Sequence, residues 1–141
     1  MLELQSFCYD SCKDFAEDYK TVLDGERLFP MVKSYLLKDN CYLDDNWIKW
    51  RVYYQDDVPL AILATRVEPQ YEGFTHVSVF EVNKSLRGQG LGTQILEQFL
   101  KDNPKSTLYA EKKNWNFYKH LGFDNFIPKD KNFFVRGSLW F

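Results

Sequence analysis

The sequence predicts a mixed α+β domain, and three observations lead to this fold class. The hydrophobic period changes from helical to strand-like near Trp47, so helices should fill the first third of the chain and strands should follow. Two apolar runs flank Asp56 and Asp57, as expected for antiparallel strands joined by a tight turn. A glycine-rich turn at residues 88–92 links another apolar run to an amphipathic helix. These features predict a single domain over residues 1–141, in which helices pack on a sheet.

The first third of the chain carries helix signals. Residues 1–7 begin either a short strand or an extended lead-in. Ser11, followed by an acidic first turn, predicts the N-cap of a first helix that ends at Gly25. A second helix is predicted over residues 26–37, with Pro30 tolerated only in its first turn.

The rest of the chain alternates apolar runs with turn residues, and its last helix is predicted to end with Gly122 just beyond its C-terminus. The aromatic final run could form a seam between two copies, so we expect a monomer or a homodimer. Strands are predicted over residues 47–55, 58–67, 74–82, 106–110 and 133–141, and helices over residues 90–101 and 114–120.

Length and composition exclude several classes of protein. With 141 residues, 45% of them hydrophobic and 27% charged, the chain has the composition of one globular domain. A net charge of −2 argues against a general nucleic-acid binder. No apolar run approaches the ~18 residues of a membrane helix and the N-terminus lacks a signal-peptide pattern, so we expect a cytoplasmic protein with no membrane partner. The three cysteines lack Cys-x-x-Cys spacing and predict thiols rather than a disulfide framework or a metal site.

The run Arg87-Gly88-Gln89-Gly90-Leu91-Gly92 is the strongest functional signal. A glycine-rich turn that opens a helix presents unpaired N–H groups and the positive end of the helix dipole, so it can bind a phosphate. Arg87 and the hydroxyl of Thr93 add donors. The P-loop pattern is not met, because no Gly-Lys-Ser/Thr follows, and the glycine spacing differs from a Rossmann fingerprint. We interpret the run as a pyrophosphate cradle; the alternatives are a plain turn and a nucleotide-phosphate site.

Two motifs, Arg87-x-x-Gly90-x-Gly92 and Tyr118-x-x-x-Gly122-Phe123, resemble those of the GCN5-related N-acetyltransferase (GNAT) superfamily. The resemblance implies a central, mostly antiparallel twisted sheet of six to seven strands with a splayed strand pair, flanked by about four helices. It also implies an N-acetyltransferase that uses acetyl-CoA as acyl donor. The acetyl group would pass to a primary amine of a small molecule, peptide or protein by direct attack in a ternary complex. A different reading is a catalytically silent acyl-CoA sensor or protein-interaction module with the same fold.

The resemblance also implies roles for individual residues. Pantetheine would insert between the splayed strands, with the main-chain N–H of Val82 facing the thioester carbonyl, and Tyr118 would protonate the departing thiolate. The asparagine that many family members carry seven residues before this tyrosine is Glu111 here, whereas Asn114 either caps the last helix or contacts pantetheine. The implied donor-binding residues are Phe80, Val82, Arg87, Gly88, Gln89, Gly90, Leu91, Gly92, Thr93 and Asn114.

A general base is needed because an alkyl ammonium, with a reference pKa of about 10.4, must lose a proton before it attacks. Counting back by twos from Val82 places His76 on the same strand face, which makes it a candidate base; the alternative is a histidine bonded at the strand end. Glu81 is the rival, although it lies on the opposite face unless a bulge reorients it, and it could instead pair with a lysine or arginine. Glu68 and Glu72 in the preceding loop are further candidates.

Overall fold

The structure is a computed structural model that describes residues 4–38, 48–67, 72–123, 125–126 and 133–136. Seven strands and five α-helices lie within these ranges, with short 3₁₀ turns at Lys84–Leu86 and Lys112–Asn114. In chain order the elements are β1 (Gln5–Cys8), α1 (Cys12–Lys20), α2 (Gly25–Leu28), α3 (Pro30–Lys38), β2 (Ile48–Gln55), β3 (Val58–Val67), β4 (Thr75–Val82), α4 (Leu91–Asp102), β5 (Ser106–Tyr109), α5 (Trp115–His120), β6 (Asn125–Phe126) and β7 (Phe133–Arg136).

The strands form one sheet in the order β1-β2-β3-β4-β5-β7-β6. Every neighbouring pair is antiparallel except β4 and β5, which run parallel. Asp56 and Asp57 join β2 to β3 with φ angles of +49° and +65°, the two left-handed residues that a type I′ hairpin turn requires. The predicted mixed fold class and the mostly antiparallel sheet are confirmed.

Helices cover both faces of the sheet, because strand residues alternate between two apolar clusters. On one face α1, α2 and α3 pack against β2 and β3 through a cluster that includes Phe15, Leu23, Phe29, Val32, Trp50, Val52 and Ile62. On the other face α4 packs against β3, β5 and β7 through a cluster that includes Leu63, Ile95, Leu96, Phe99, Leu108 and Phe134. The sheet is therefore buried between two helical layers.

The helical first third differs from the prediction at one point. Ser11 caps α1 as expected, since its Oγ accepts a hydrogen bond from Asp14 N at 3.1 Å. The single helix predicted over residues 26–37 is wrong, because the chain breaks between α2 and α3. Proline disfavours a helical conformation at the residue before it, and Phe29 has φ −134° and ψ 66°. Pro30 therefore begins a new helix, and Gly25 begins α2 instead of ending α1.

The cysteines and the final aromatic run also depart from expectation. Cys8 is an exposed free thiol, whereas Cys12 is fully buried and disulfide-bonded, so the prediction of free thiols is wrong for Cys12. The described part of the final run is β7, and its apolar residues from Phe133 to Val135 are buried within the protein's own core. These three side chains do not form the expected surface seam; residues 137–141 lie outside the described ranges. Strand β6 was not predicted, because two residues carry no recognisable period.

Across the described ranges, no helix combines the length and apolarity needed to span a membrane.

We predict that Gly25→Ala lowers the free energy of unfolding by about 1–3 kcal/mol, the usual cost of overpacking a core. A Cβ at this position would lie 2.6 Å from Cγ of the Tyr19 ring and closer still to two other ring carbons, and the ring is buried. Urea unfolding measures the change. Glu17→Ala on the exposed face of α1 is the control and should shift stability by less than about 0.5 kcal/mol. Equal effects of the two substitutions would contradict the crowding argument.

Candidate functional site

Strands β4 and β5 pair over only three residues and then separate. Their parallel ladder joins Thr75 to Ser106, His76 to Thr107 and Val77 to Leu108. Strand β4 continues to Val82 while paired with β3 on its other side. A gap therefore opens beside the second half of β4, and the splayed strand pair expected from the sequence is confirmed.

The main chain of β4 faces this gap at alternate residues. Asn83 N donates to Leu60 O at 2.8 Å, and Ala61 lies opposite Val82. In an antiparallel pair, hydrogen-bonded and non-hydrogen-bonded residue pairs alternate, so the N–H and C=O groups of Val82 and Phe80 point away from β3. The Val82 carbonyl indeed accepts from Arg87 Nε, at 3.1 Å. The gap thus offers a short stretch of strand edge for an extended ligand.

The glycine turn ends at the first turn of α4. Gly88 and Gly90 have φ angles of +84° and +78°, and a Cβ at either position would meet no atom within 4 Å. Their backbone conformation, rather than lack of space, is what favours glycine. The first helical bond joins Gln94 N to Gly90 O at 3.2 Å, so the amides of residues 91–93 belong to the first turn, which lacks helical acceptors. These N–H groups and the helix dipole suit an anion.

A cavity of about 510 Å³, here called the glycine-turn cavity, runs between this turn, the end of β4 and α5. Of the ten residues predicted to bind the donor, all except Gln89 line it. The first turn of α4 fits closely against its wall, since a Cβ at Gly92 would lie 3.4 Å from Val82 and 3.6 Å from Phe80. The cavity is lined by Met31, Phe80, Glu81, Val82, Leu86, Arg87, Gly88, Gly90, Leu91, Gly92, Thr93, Asn114, Phe117 and Tyr118.

A second cavity of about 690 Å³, the strand-gap cavity, fills the opening between β4 and β5 and extends to α3. Its polar lining comes from Ser34, Tyr35, Ser78, Tyr109, Glu111, Lys113, Asn114 and Tyr118. Four residues, Met31, Phe80, Asn114 and Tyr118, line both cavities. The two cavities therefore meet at Tyr118.

Tyr118 has the environment of a protonated phenol. Its ring makes edge contacts with Phe117 and Phe123, with centroids 5.0 and 6.0 Å away. Burial raises the pKa of Tyr118 above its ordinary value of 10.0, because an apolar environment disfavours the phenolate. The hydroxyl is thus a proton donor at neutral pH.

Asn114 does not cap α5 with its side chain. It occupies the residue before the helix, but its side chain accepts no capping hydrogen bond. The capping alternative is therefore wrong, and Asn114 instead lines both cavities.

His76 is not on the face predicted for it. Ala64 lies opposite Val79 and Thr65 opposite Val77, so Ser78 is an extra residue in β4, a bulge that reverses which face the earlier residues occupy. His76 is 4% exposed, its Nδ1 lies 2.8 Å from Thr107 Oγ1, and its ring stacks on Phe133. It lines neither cavity, so the geometric reason for assigning it as the base is wrong.

Glu81 lies on the face opposite Phe80, and no bulge reorients it. It is 3% exposed, and its Oε1 accepts from Val32 N at 2.9 Å. Its Oε2 accepts from Met31 N at 3.1 Å and from Arg87 Nη2 at 2.7 Å. The alternative in which Glu81 pairs with a basic residue is observed, and both carboxylate oxygens already bind N–H donors, which gives no support to a role as base.

Glu72 is the loop candidate that the structure describes, and it contributes nothing to the two cavities. Glu72 is exposed and is absent from both linings, and Glu68 lies outside the described residues. Sequence analysis missed the residues that α3 and the region after β5 supply, among them Tyr35, Glu111 and Lys113. Their only signal in the sequence was Glu111, which stands where many family members carry an asparagine. Ser78 was also missed as a cavity residue; its hydroxyl is buried with no hydrogen-bond partner among the described residues.

Comparison with known families agrees with this architecture. The model of the acetyltransferase (GNAT) family matches residues 9–123, most of the chain. The chain therefore belongs to the acetyltransferase (GNAT) family. No curated protein matches it.

Several solved structures share the fold at low sequence identity. GCN5 of Tetrahymena is 15% identical with a TM-score of 0.65, and the match covers 96% of this chain and 95% of that one. The putative N-acetyl transferase YhhK of E. coli, solved bound to coenzyme A, is 14% identical with a TM-score of 0.63 and coverage of 96% and 100%. A protein in a structure of a KacTA–DNA complex is 18% identical with a TM-score of 0.65 and coverage of 94% and 92%.

We predict that His76→Ala lowers the free energy of unfolding by about 2 kcal/mol or more, because it removes a buried ring and leaves Thr107 without that partner. Chemical denaturation measures the change. The chain's other histidine, His120, is exposed, and His120→Ala is the matched control, expected to change stability little. Equal stability of the two variants would show that His76 is not held as the structure indicates.

Proposed function

We propose that this protein is an acetyl-CoA-dependent N-acetyltransferase that transfers the acetyl group directly to a primary amine in a ternary complex. One observation carries the proposal: Tyr118 lies where the glycine-turn cavity meets the strand-gap cavity. A proton donor at this junction would lie between an acyl donor in one cavity and an acceptor amine in the other.

The donor fits the glycine-turn cavity by its chemistry. The main-chain amides of residues 88–92 and the first turn of α4 suit the diphosphate. An extended pantetheine, which carries two amides, can lie along the outward groups of Phe80 and the N–H of Val82 as an added strand does. The Val82 N–H would then stabilise negative charge on the thioester oxygen. The coenzyme A in the YhhK structure supports coenzyme A binding by this fold.

Acetyl transfer then requires the movement of one acyl group and two protons. The acceptor nitrogen attacks the thioester carbonyl carbon, a C–N bond forms, and the C–S bond breaks. Tyr118 gives its proton to the departing thiolate sulfur, and its phenolate regains a proton from the acceptor nitrogen as the amide forms. The acceptor ammonium must also lose a proton before it attacks, and we assign that proton to solvent at the exposed rim of the strand-gap cavity, where Glu111 and Lys113 lie, because His76 and Glu81 are both engaged elsewhere.

The acceptor enters the strand-gap cavity in this proposal. A volume of about 690 Å³ admits a small amine or one side chain of a peptide. Glu111 gives the rim a carboxylate that attracts an ammonium group, although it also pairs with Lys113 at 3.4 Å. The net charge of −2 still argues against DNA as a partner. The DNA complex among the structural neighbours means that the fold itself does not exclude one.

One observation favours a second function, that of an acyl-CoA sensor or interaction module without turnover. Strand β4 presents no imidazole to either cavity, and the carboxylate that it does bring there, Glu81, is fully bonded within the described part of the chain. The protein would bind the donor without transferring the acetyl group if solvent cannot accept the proton that the acceptor ammonium must lose before it attacks.

Calorimetry with acetyl-CoA tests donor binding, and Gly90→Ala should weaken this binding about tenfold. Alanine in a left-handed conformation costs roughly 1–2 kcal/mol, and the turn relieves this strain by moving its amides out of the arrangement that binds the diphosphate. Gly73→Ala is the matched control, since Gly73 also has a positive φ of +83° and open space around it but lies in another turn. Its affinity should equal that of the wild type. No binding by the wild-type protein at millimolar ligand would overturn the proposal.

Thiol release from acetyl-CoA in the presence of a panel of primary amines separates the two functions. Release that depends on an amine supports the transferase. Binding without release from any amine in the panel favours the sensor.

Tyr118→Phe should lower kcat about 10²- to 10³-fold with little change in acetyl-CoA affinity, since the ring stays and only the proton donor is lost. Because the pKa of Tyr118 is raised, the wild-type rate should fall at the alkaline end only above about pH 10, and the variant should lack that limb. Tyr54→Phe is the matched control, since Tyr54 lies on β2 and lines neither cavity. Equal kcat values for the two variants would rule out Tyr118 as the acid.

A further inference from the structure

Within the described ranges Glu81 is the one buried carboxylate, and it links three separate segments of the chain. It projects from β4, it accepts two amides from the start of α3, and it pairs with Arg87 beyond the 3₁₀ turn. The α3 contacts join residues 49 and 50 positions apart in the sequence, so they are tertiary and not local.

The α3 contacts replace a missing helix cap. The residue before α3 is Phe29, whose side chain cannot accept a hydrogen bond, and Pro30 has no N–H. The next two N–H groups, of Met31 and Val32, both donate to Glu81. A carboxylate in this place satisfies otherwise unpaired donors and complements the helix dipole. Glu81 therefore fixes the end of α3 that lines the strand-gap cavity through Met31, Ser34 and Tyr35.

The contact between Glu81 and Arg87 orients a side chain that lines the glycine-turn cavity. Arg87 lines the glycine-turn cavity, and its guanidinium is held by Glu81 through Nη2 and by the Val82 carbonyl through Nε. Nη1 is the guanidinium nitrogen that bonds to no described residue. A planar guanidinium with two nitrogens fixed presents the third in a set direction, which suits one phosphate oxygen.

From these contacts we infer that Glu81 is a positioning residue for the proposed acetyl transfer: it orients Arg87 toward the donor diphosphate and anchors the wall of α3 on the acceptor side. The inference rests on the proposed function for the identity of the donor. Glu81 touches neither reacting atom, and it acts on the donor only through Arg87.

A double-mutant cycle tests the donor half, with acetyl-CoA affinity measured by calorimetry. Glu81→Ala should weaken binding about tenfold, the size expected for an oriented charged hydrogen bond. In a background that already carries Arg87→Ala, the same change should weaken binding less than about twofold, because the residue it orients is gone. Equal factors in both backgrounds would overturn the inference, as would unchanged affinity in Glu81→Ala. Glu81→Gln, which keeps the shape but removes the charge, should have an acetyl-CoA affinity between those of the wild type and Glu81→Ala. If the alanine variant does not fold, Glu81→Gln replaces it in the cycle.

Amide hydrogen exchange tests the acceptor half. The amides of Met31 and Val32 should exchange about tenfold faster or more in Glu81→Ala and stay protected in Arg87→Ala. Tyr19→Phe is the matched control: the Tyr19 hydroxyl donates to Phe29 O at 2.6 Å, so its loss weakens the same corner without touching Arg87. It should leave acetyl-CoA affinity unchanged. Loss of affinity in Tyr19→Phe equal to that in Glu81→Ala would show a merely structural effect.

The outcomes separate this inference from the proposed function. Failure of wild-type binding to acetyl-CoA would defeat the proposed function, while the exchange data would still report on the α3 anchor. Normal wild-type binding with no coupling between Glu81 and Arg87 would defeat the inference alone.

Discussion

The site depends on one constraint, the separation of β4 from β5 beyond Val77 and Leu108. A strand inside a sheet normally satisfies its main-chain groups on both sides, and an unsatisfied buried group is costly. Here the outward groups of Phe80 and the N–H of Val82 face an opening instead of a neighbouring strand, while the Val82 carbonyl accepts from Arg87. Both cavities exist because of this opening, and α5 places Tyr118 where they meet.

Strand β4 has three roles, which its geometry keeps apart. Its outward main-chain groups face the gap, the side chains of Phe80 and Val82 form the cavity wall, and Glu81 binds α3 and Arg87 on the other face. Because consecutive side chains of a strand point to opposite faces, these roles do not compete for space. One short strand thereby connects the glycine-turn cavity, the strand-gap cavity and the core.

Local patterns in the sequence predicted the fold and most residues that line the glycine-turn cavity, because each depends on neighbouring residues. The period change, the glycine turn and the tyrosine motif all fall within short windows. The α3 wall of the strand-gap cavity was beyond this reasoning, since the contacts of Glu81 with Met31 and Val32 join positions about 50 residues apart. His76 was assigned to the wrong face because one extra residue at a bulge leaves no mark in composition.

That extra residue, Ser78, has a consequence for comparing this chain with its relatives. A relative without the insertion would place the opposite set of side chains on each face of the sheet over the first half of β4, while keeping the same overall fold. A gapless alignment across this strand would then equate residues that never occupy the same environment. A comparison of β4 residues among relatives should therefore allow an indel here, and should match positions by three-dimensional superposition rather than by counting.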